Sequence, residues 1–259
     1  MGYEYEYRHR ISYSGCDINN SLSLISLIDM FQDASIFQSE DAGVGIDFLR
    51  QSKLLWVLSY WEIEINKLPK LCDEVFVGTY PYGFKGFLGY RNFYLKDSKG
   101  EYLVKANTTW TMIDTVKMLP AKAPESVISA YAMGPKLDMM YSSRKILLPR
   151  DENVECVNAG IRTVGLHQLD GNMHVNNCRY IEMALAAIEE VVLGTNDIMS
   201  DIADKDSLRP ISRLRTDYRQ QAHLNDKIFP VVYFCDKTYT VSLNNEEQKP
   251  YSVVSITFK

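Results

Sequence analysis

Long apolar runs are missing from this sequence. No stretch approaches the roughly 18–20 apolar residues that a helix needs to span a bilayer. Residues 1–7 also lack the apolar core of a secretory signal peptide. We therefore expect no transmembrane segment, no secretory signal and no membrane partner.

Cysteine and histidine are few and scattered. The five cysteines show neither CxxC spacing nor the even count of a disulfide framework: Cys16, Cys72, Cys156, Cys178 and Cys235. The four histidines include no HExxH pair. These absences predict a reducing, cytoplasmic location and no metal site.

An excess of positive charge is also absent. The chain has 28 lysines and arginines against 33 acidic residues, which gives a net charge of −5. Nucleic-acid binding requires a basic footprint, so this balance argues against a nucleic-acid partner. With 259 residues and 46% hydrophobic residues, the chain can build one large domain or two ordinary ones.

What the chain does contain is a repeat of itself. Several identical residues recur at a separation of 153 positions: Asp17 and Asp170, Asn19 and Asn172, Ile28 and Ile181, and Met30 and Met183. Residues 71–76 and 224–229 also resemble each other at this separation. A single long offset predicts two duplicated domains, because a solenoid would show shorter and more numerous repeats.

Each half has the same order of predicted elements. A short strand (7–13 or 160–166) precedes an amphipathic helix, with apolar residues at helical spacing across 24–35 and 181–192. Four alternating segments then predict an antiparallel meander in each half: 54–65, 73–82, 87–96 and 102–113, and 211–220, 227–236, 237–243 and 251–258.

A lone helix beside a meander must bury its apolar stripe against the sheet. The pattern therefore predicts an α+β fold of tandem hotdog domains, each a long helix wrapped by an antiparallel sheet. Four prolines between residues 120 and 149 indicate an extended crossing. We place the first domain at 1–130, the linker at 131–150 and the second domain at 151–259.

The densest polar cluster ahead of a helix is the segment 170–177, Asp-Gly-Asn-Met-His-Val-Asn-Asn. Such residues are often only helix caps, and Asn176 or Asn177 could accept a hydrogen bond from the first free N–H groups. The first half lacks the histidine, because Ser21 stands where the second half has His174. The fold therefore does not require His174, and a histidine at a helix N-terminus is a candidate for function.

The cluster has the groups needed to hydrolyse an activated acyl group. Free N–H groups and the helix dipole would stabilise an anionic tetrahedral intermediate. Asn172 can donate to a carbonyl, and His174 can take a proton from water at neutral pH. Asp170 can orient the imidazole or the water. Water would be the nucleophile, and the reaction needs no cofactor.

The segment 169–181 resembles the DxNxHVNNxxYI signature of plant and bacterial acyl-ACP thioesterases. Residues 56–59 and 100–113 resemble the first long strand and the hairpin of that family, and residues 217–222 resemble its EYRREC block. The resemblance implies a catalytic C-terminal domain, with Asp170, Asn172 and His174 as catalytic residues, and an N-terminal domain that largely sets acyl preference. It also implies an acyl carrier protein with a phosphopantetheine-linked fatty acyl chain as partner, in fatty acid biosynthesis. We expect a monomer or homodimer.

The sequence departs from the family at one important position. Gln221 stands where the family usually places a catalytic glutamate, and Ala222 replaces the following cysteine. Gln221 can still hold a water molecule but cannot accept its proton. Alternation along the predicted strand adds a second point. Leu214, Thr216 and Tyr218 suggest that even-numbered side chains are buried, so the odd-numbered Gln221 would point inward only past a bulge.

Four further residues are candidates for substrate binding. Trp56 and Trp110 lie in predicted strands of the first half and would line an acyl slot, and Asn176 and Asn177 belong to the polar segment. Two alternatives to an acyl-ACP hydrolase stay open. One is a non-catalytic acyl-binding hotdog protein, motivated by Gln221, and the other is a hotdog hydratase or an acyl-CoA thioesterase.

Overall fold

A computed structural model describes residues 2–149, 154–193 and 210–259. The chain divides into two compact units, Met1–Ser142 and Ser143–Lys259. This division falls inside the segment 131–150 that the sequence suggested as a linker. The predicted boundary between residues 150 and 151 lies outside the described residues.

The first unit is a five-stranded antiparallel sheet with one long helix. In chain order the elements are β1 (Tyr5–Arg10), a 3-10 turn (Tyr13–Gly15), α1 (Leu24–Asp41), α2 (Ile46–Gln51), β2 (Leu54–Ile65), β3 (Glu74–Lys85), β4 (Leu88–Asp97), β5 (Tyr102–Asp114), β6 (Leu119–Pro120) and α3 (Glu125–Ile128). The strands of the sheet lie in the order β1-β3-β4-β5-β2, and the short strand β6 pairs with β5. The short helices α2 and α3 were not predicted.

The second unit repeats this plan. In chain order the described elements are β7 (Glu155–Asn158), β8 (Arg162–Thr163), a 3-10 turn (Leu166–Gln168), α4 (Asn177–Leu193), β9 (Ile211–Tyr218), β10 (Lys227–Cys235), β11 (Thr238–Asn244) and β12 (Pro250–Phe258). The strands of the sheet lie in the order β9-β12-β11-β10-β7, and β8 pairs with β10. Strand, long helix and meander in each unit confirm the predicted α+β tandem hotdog fold.

One predicted strand is largely wrong. Within the segment 160–166 only Arg162–Thr163 forms a strand, which pairs with one end of β10, whereas β7 pairs with the other end. Between them Ala159 donates its N–H to the carbonyl of Pro230, 3.1 Å away. Proline has no N–H to donate in return, so the ladder is interrupted between β7 and β8. Strand β7 lies before the predicted segment, which contains only β8.

The apolar stripes of the two helices are buried as predicted, with one exception. On α1 the buried side chains include Leu27, Ile28, Phe31 and Ala34, and the Phe31 ring stacks on that of Trp61 at 6.1 Å. On α4 they include, among others, Tyr180, Ile181, Ala184 and Ile188. The prediction is wrong for Val192, which lies in the last turn of α4 and is 55% exposed.

Backbone hydrogen bonds repeat at the separation found in the sequence. Ile11 donates its N–H to the carbonyl of Asp73 at 2.9 Å, and Val164, 153 positions later, donates to Asp226 at the same distance. Cys72 and its counterpart Asn225 both adopt a positive φ, of 68° and 69°. Helices α1 and α4 also begin 153 positions apart. The structure therefore confirms the internal repeat residue by residue.

The ends of the predicted linker are bound to the units they adjoin. In the first unit, Asn92 accepts hydrogen bonds from the Leu137 N–H at 3.2 Å and the Tyr141 hydroxyl at 3.0 Å. In the second, Arg219 donates to the carbonyl of Ile146 at 2.6 Å and pairs with the buried carboxylate of Asp217 at 2.9 Å. The segment is thus not a free spacer over residues 137–146.

A buried cation lies inside the first unit. Arg91 is 8% exposed, donates to Gln38 and Thr79, and sits 5.4 Å from the centre of the Tyr131 ring. Within the described residues no carboxylate forms an ion pair with it. Burial lowers the pKa of Arg91 to about 10. An uncompensated buried charge is costly, because its lost hydration is not replaced by an opposite charge.

We expect Arg91→Met to be as stable as the parent protein or more stable, since a flexible apolar chain of similar length removes the desolvation cost. Arg91→Ala should be less stable than Arg91→Met by about 2–5 kcal/mol, the cost of a methionine-to-alanine cavity. Urea unfolding of the three proteins measures both differences. Equal destabilisation of the two variants would show that the bonds to Gln38 and Thr79 outweigh the cost of the charge.

Candidate active site

A tight loop precedes α4 and carries the predicted catalytic residues. Asp170 donates its N–H to the carbonyl of His174 at 2.8 Å, and Met173 donates to the carbonyl of Asp170 at 3.0 Å. Met173 holds a positive φ of 63°, and Leu169 and Val175 form a β-bridge across the base of the loop. The backbone is therefore fixed on both sides of His174.

The carboxylate of Asp170 holds this loop together. One of its oxygens, Oδ1, accepts the N–H of Asn172 at 2.8 Å and the N–H of His174 at 3.3 Å. In the first unit, Asp17 accepts the N–H groups of Asn19 and Ser21 in the same way, at 2.9 and 3.0 Å. The same carboxylate bonds occur in the loop without a histidine, so this oxygen of Asp170 holds the loop in shape. A catalytic role for Asp170 stays a prediction.

The capping interpretation of the segment is confirmed for Asn176. Its side-chain oxygen accepts the N–H of Cys178 at 3.1 Å, and its N–H donates to Gln168 at 2.9 Å. Arg179 also donates its N–H to the carbonyl of Asn176. The expectation of free N–H groups at the helix N-terminus is therefore wrong at these three positions, because capping and loop bonds already use them. Substrate binding by Asn176 and Asn177 stays a prediction.

A second segment packs against the loop and brings an unpredicted residue to it. Val175 donates its N–H to the carbonyl of Ala222 at 3.0 Å, and Ala222 donates to the Tyr180 hydroxyl at 2.9 Å. The next residue, His223, places its ring edge-to-face with His174, with 5.0 Å between ring centres. The sequence did not indicate a role for His223, because this residue is remote in sequence from the polar loop.

The internal repeat does contain a signal for His223. Its counterpart 153 positions earlier is Lys70, whose ammonium group donates to the Ser21 hydroxyl at 2.8 Å. Ser21 in turn is the counterpart of His174. The fold thus brings the same two positions into contact in both units, and only the second unit fills both with histidine.

His174 is half-buried, and its pKa is lowered from the ordinary histidine value. Burial is the largest cause, because it penalises the charged imidazole, and the charge of His223 acts in the same direction. The carboxylate of Asp170 opposes both. At neutral pH the His174 imidazole is therefore uncharged and can accept a proton.

Asn172 lies two residues before His174 in the loop, and Gln221 lies two residues before His223; both side chains are exposed. Leu214 and Thr216 on β9 are fully buried as the parity predicts, but the odd-numbered Asp217 is also buried and Tyr218 is only half-buried, so the alternation is lost at the end of the strand. Strand β9 ends at Tyr218, so parity no longer fixes the direction of Gln221. Gln221 immediately precedes Ala222, whose backbone bonds to the loop and to Tyr180. Roles for Asn172 and Gln221 in catalysis stay predictions.

The two tryptophans lie on the same face of the sheet of the first unit. On the paired strands β2 and β5, Trp56 lies opposite Met112 and Leu58 lies opposite Trp110, so all four share one face of the sheet. Both tryptophans are half-buried, and the Trp56 ring lies 6.1 Å from that of Phe84. Their role in binding an acyl chain stays a prediction.

In the described part of the chain, no three histidine, cysteine or acidic side chains are grouped as metal ligands would be. Over the same residues, no helix has both the length and the apolar character to cross a bilayer.

Comparison with known proteins gives a consistent set of similarities. The sequence profile described as the acyl-ACP thioesterase N-terminal domain matches residues 2–131. A chloroplastic palmitoyl-acyl carrier protein thioesterase of Arabidopsis thaliana is 28% identical over 175 residues, or 63% of this chain and 42% of that protein. The similarly named protein of Gossypium hirsutum is 26% identical, over 70% of this chain and 46% of its own length. The match thus spans less than half the length of each relative.

Solved structures show the same fold along nearly the whole chain. An acyl-ACP thioesterase from Bacteroides thetaiotaomicron superimposes with a TM-score of 0.81 and 21% identity, covering 99% of this chain and 98% of the other. A 12:0-ACP thioesterase from Umbellularia californica superimposes with a TM-score of 0.81 and 15% identity, covering 100% and 98%. At these identities the likeness establishes the fold.

Proposed function

Because this chain belongs to the acyl-ACP thioesterase family, we propose that it hydrolyses the thioester of a fatty acyl-ACP to release a free fatty acid and holo-ACP. One observation carries the proposal: a half-buried imidazole with a lowered pKa, His174, is fixed in a loop at the start of a helix. The equivalent loop of the first unit has the same backbone bonds but a serine. Relatives named for palmitoyl-carrier thioesters support the substrate class.

In the proposed reaction, water attacks the carbonyl carbon of the thioester while His174 takes its proton. The carbonyl oxygen becomes an oxyanion, which the side-chain amide of Asn172 stabilises by hydrogen bonding. The oxyanion then collapses, the carbon–sulfur bond breaks, and the departing thiolate of phosphopantetheine takes the proton back from His174. Asp170 holds the loop in place throughout. The predicted absence of a cofactor, the cytoplasmic location and the choice between monomer and homodimer stay predictions.

Measuring the free thiol released from a panel of acyl-ACPs of different chain lengths tests the proposal. The same acyl groups on coenzyme A, under equal conditions, separate an acyl-ACP hydrolase from an acyl-CoA thioesterase. Thioester binding without thiol release would instead favour the non-catalytic acyl-binding alternative, which rests on glutamine at position 221.

Gln221→Glu should leave the enzyme active and raise its rate, because a carboxylate would add a second base beside the attacking water. Its pH–rate profile should gain a new acidic limb. Gln220→Glu is the matched control, since it adds the same charge one residue earlier and should leave the profile unchanged. A Gln221→Glu profile identical to that of the parent would mean that the side chain points away from the water. A severe loss would mean that the amide N–H donates a required hydrogen bond.

Trp56→Ala and Trp110→Ala should each shift the chain-length profile toward longer or bulkier acyl groups, because the slot becomes larger. Discrimination in an apolar pocket is worth about 1–3 kcal/mol per methylene-sized mismatch. Rates across the acyl-ACP panel measure the shift. Val57→Ala is the control, since Val57 lies on the opposite face of the same strand. Unchanged profiles in both tryptophan variants would exclude these residues from the acyl site.

A further inference from the structure

The contact between His174 and His223 is imposed by the backbone. In the second unit, Val175 donates its N–H to the carbonyl of Ala222, next to both histidines. In the first unit, Leu22 donates to Pro69 at 2.8 Å at the equivalent place. The side chains next to these bonds are in contact in each unit: Lys70 with Ser21, and His223 with His174. The fold therefore sets the contact, and the two residue types determine its chemistry.

The two pairs differ in what they can do. Lys70 in the first unit donates to Ser21, and no proton acceptor of useful strength results. In the second unit two imidazoles lie 5.0 Å apart between ring centres, at an angle of 61°. Each can carry a proton near neutral pH, and two like charges at this distance disfavour each other.

We propose that His223 is a positioning residue for the proposed hydrolysis: its ring orients His174, and its positive charge keeps His174 available as an uncharged proton acceptor. His223 is exposed, whereas His174 is half-buried. Burial penalises a charge on His174, and the contact with His223 adds repulsion whenever His223 is charged. A proton must therefore enter His174 against both burial and repulsion. This inference rests on the function proposed above.

The other ionisable groups around the pair do not cancel this effect. From the loop, the carboxylate of Asp170 favours a charged His174, and it is the smallest of the three influences on that imidazole. From the segment of His223 itself, Asp226 accepts the His223 N–H at 2.9 Å and the Tyr251 hydroxyl at 3.0 Å. Its carboxylate therefore already has two donors.

Helix α4 contributes three ionisable groups near its start. The pKa of Tyr180 is raised, mainly by burial, so its hydroxyl stays neutral where it accepts the Ala222 N–H. Cys178 is buried. Arg179 pairs with Glu182 one turn further along, at 3.0 Å. Among these groups, His223 is the one that places a positive charge against the His174 ring when it is protonated.

Proton NMR titration of His174 in the free protein tests the proposal without using hydrolysis. His223→Gln removes the charge, so the pKa of His174 should rise by about half a pH unit or more. His223→Lys makes the charge permanent, as at Lys70, so the pKa should fall. His9 and His167 serve as internal controls, and Lys70→Gln is the matched change in the first unit. A role in folding alone would not move His174 in opposite directions.

The acid limb of kcat/KM on acyl-ACP should follow the same two shifts, toward higher pH in His223→Gln and toward lower pH in His223→Lys. Identical His174 titrations in all three proteins would overturn the positioning role, whatever the hydrolysis assay gives. If the pKa of His174 shifts in opposite directions in the two variants but no protein releases thiol, the charge effect is supported and the proposed function is refuted. If His223→Gln fails to fold, as judged by its NMR spectrum, the His223→Lys titration alone decides.

Discussion

His174→Ala should lower the rate of thiol release from acyl-ACP by about 10²–10⁴, the usual contribution of a general base. The variant should fold normally, because the equivalent loop of the first unit keeps the same Asp17 and backbone bonds around a small residue, Ser21. Steady-state kinetics with excess acyl-ACP gives the change in kcat, and thermal unfolding gives the change in stability.

Ser21→Ala is the control for this experiment, since it truncates the equivalent side chain in the unit without a histidine. It should leave kcat unchanged. Turnover close to that of the parent protein in His174→Ala would remove His174 from the mechanism and leave the acyl-binding alternative in its place.

Asp170→Ala should cost about 10²-fold in rate, because a displacement of His174 by about 1 Å is enough for such a loss. It should also lower stability by about 0.5–2 kcal/mol, the range for removing a side chain that satisfies free backbone N–H groups. Asp170→Asn keeps an acceptor oxygen for Asn172 and His174 and should recover most of the stability and part of the rate.

The matched change is Asp17→Ala, which removes the same two bonds in the first unit. It should lower stability as Asp170→Ala does without lowering the rate. If Asp170→Asn were as stable as the parent but as slow as Asp170→Ala, the charge of the carboxylate would take part in proton transfer and the loop-holding role would be incomplete.

The sequence was sufficient where the signal was periodic or repeated. Helical spacing identified α1 and α4, and alternation identified the meanders, because burial on one face dictates both patterns. The separation of 153 residues predicted the duplication and singled out His174 by comparison with Ser21. Alternation also predicted the burial of Leu214 and Thr216 on β9, but not that of Asp217.

Prediction failed where long-range pairing decides the outcome. The strand at 160–166 was overestimated, because only Arg162–Thr163 finds a partner, at the remote residues Lys227 and Ile228, and a 3-10 turn begins at Leu166. His223 was missed, because only the folded chain shows that residues 222 and 175 are bonded. The free N–H groups expected at the start of α4 were already used by Asn176, a choice that local composition left open between capping and binding.

The repeated loop bonds also bear on how such a site changes over evolutionary time. The bonds that shape the loop come from backbone groups and from the carboxylate of Asp17 or Asp170, not from the side chains of residues 172, 174 or 223. Substitutions at those three positions can therefore accumulate with little selection against misfolding. After a duplication, one copy is free to drift away from catalysis while the other keeps it, and the reverse change, Ser21→His with Lys70→His, would start from a loop that already has the required shape.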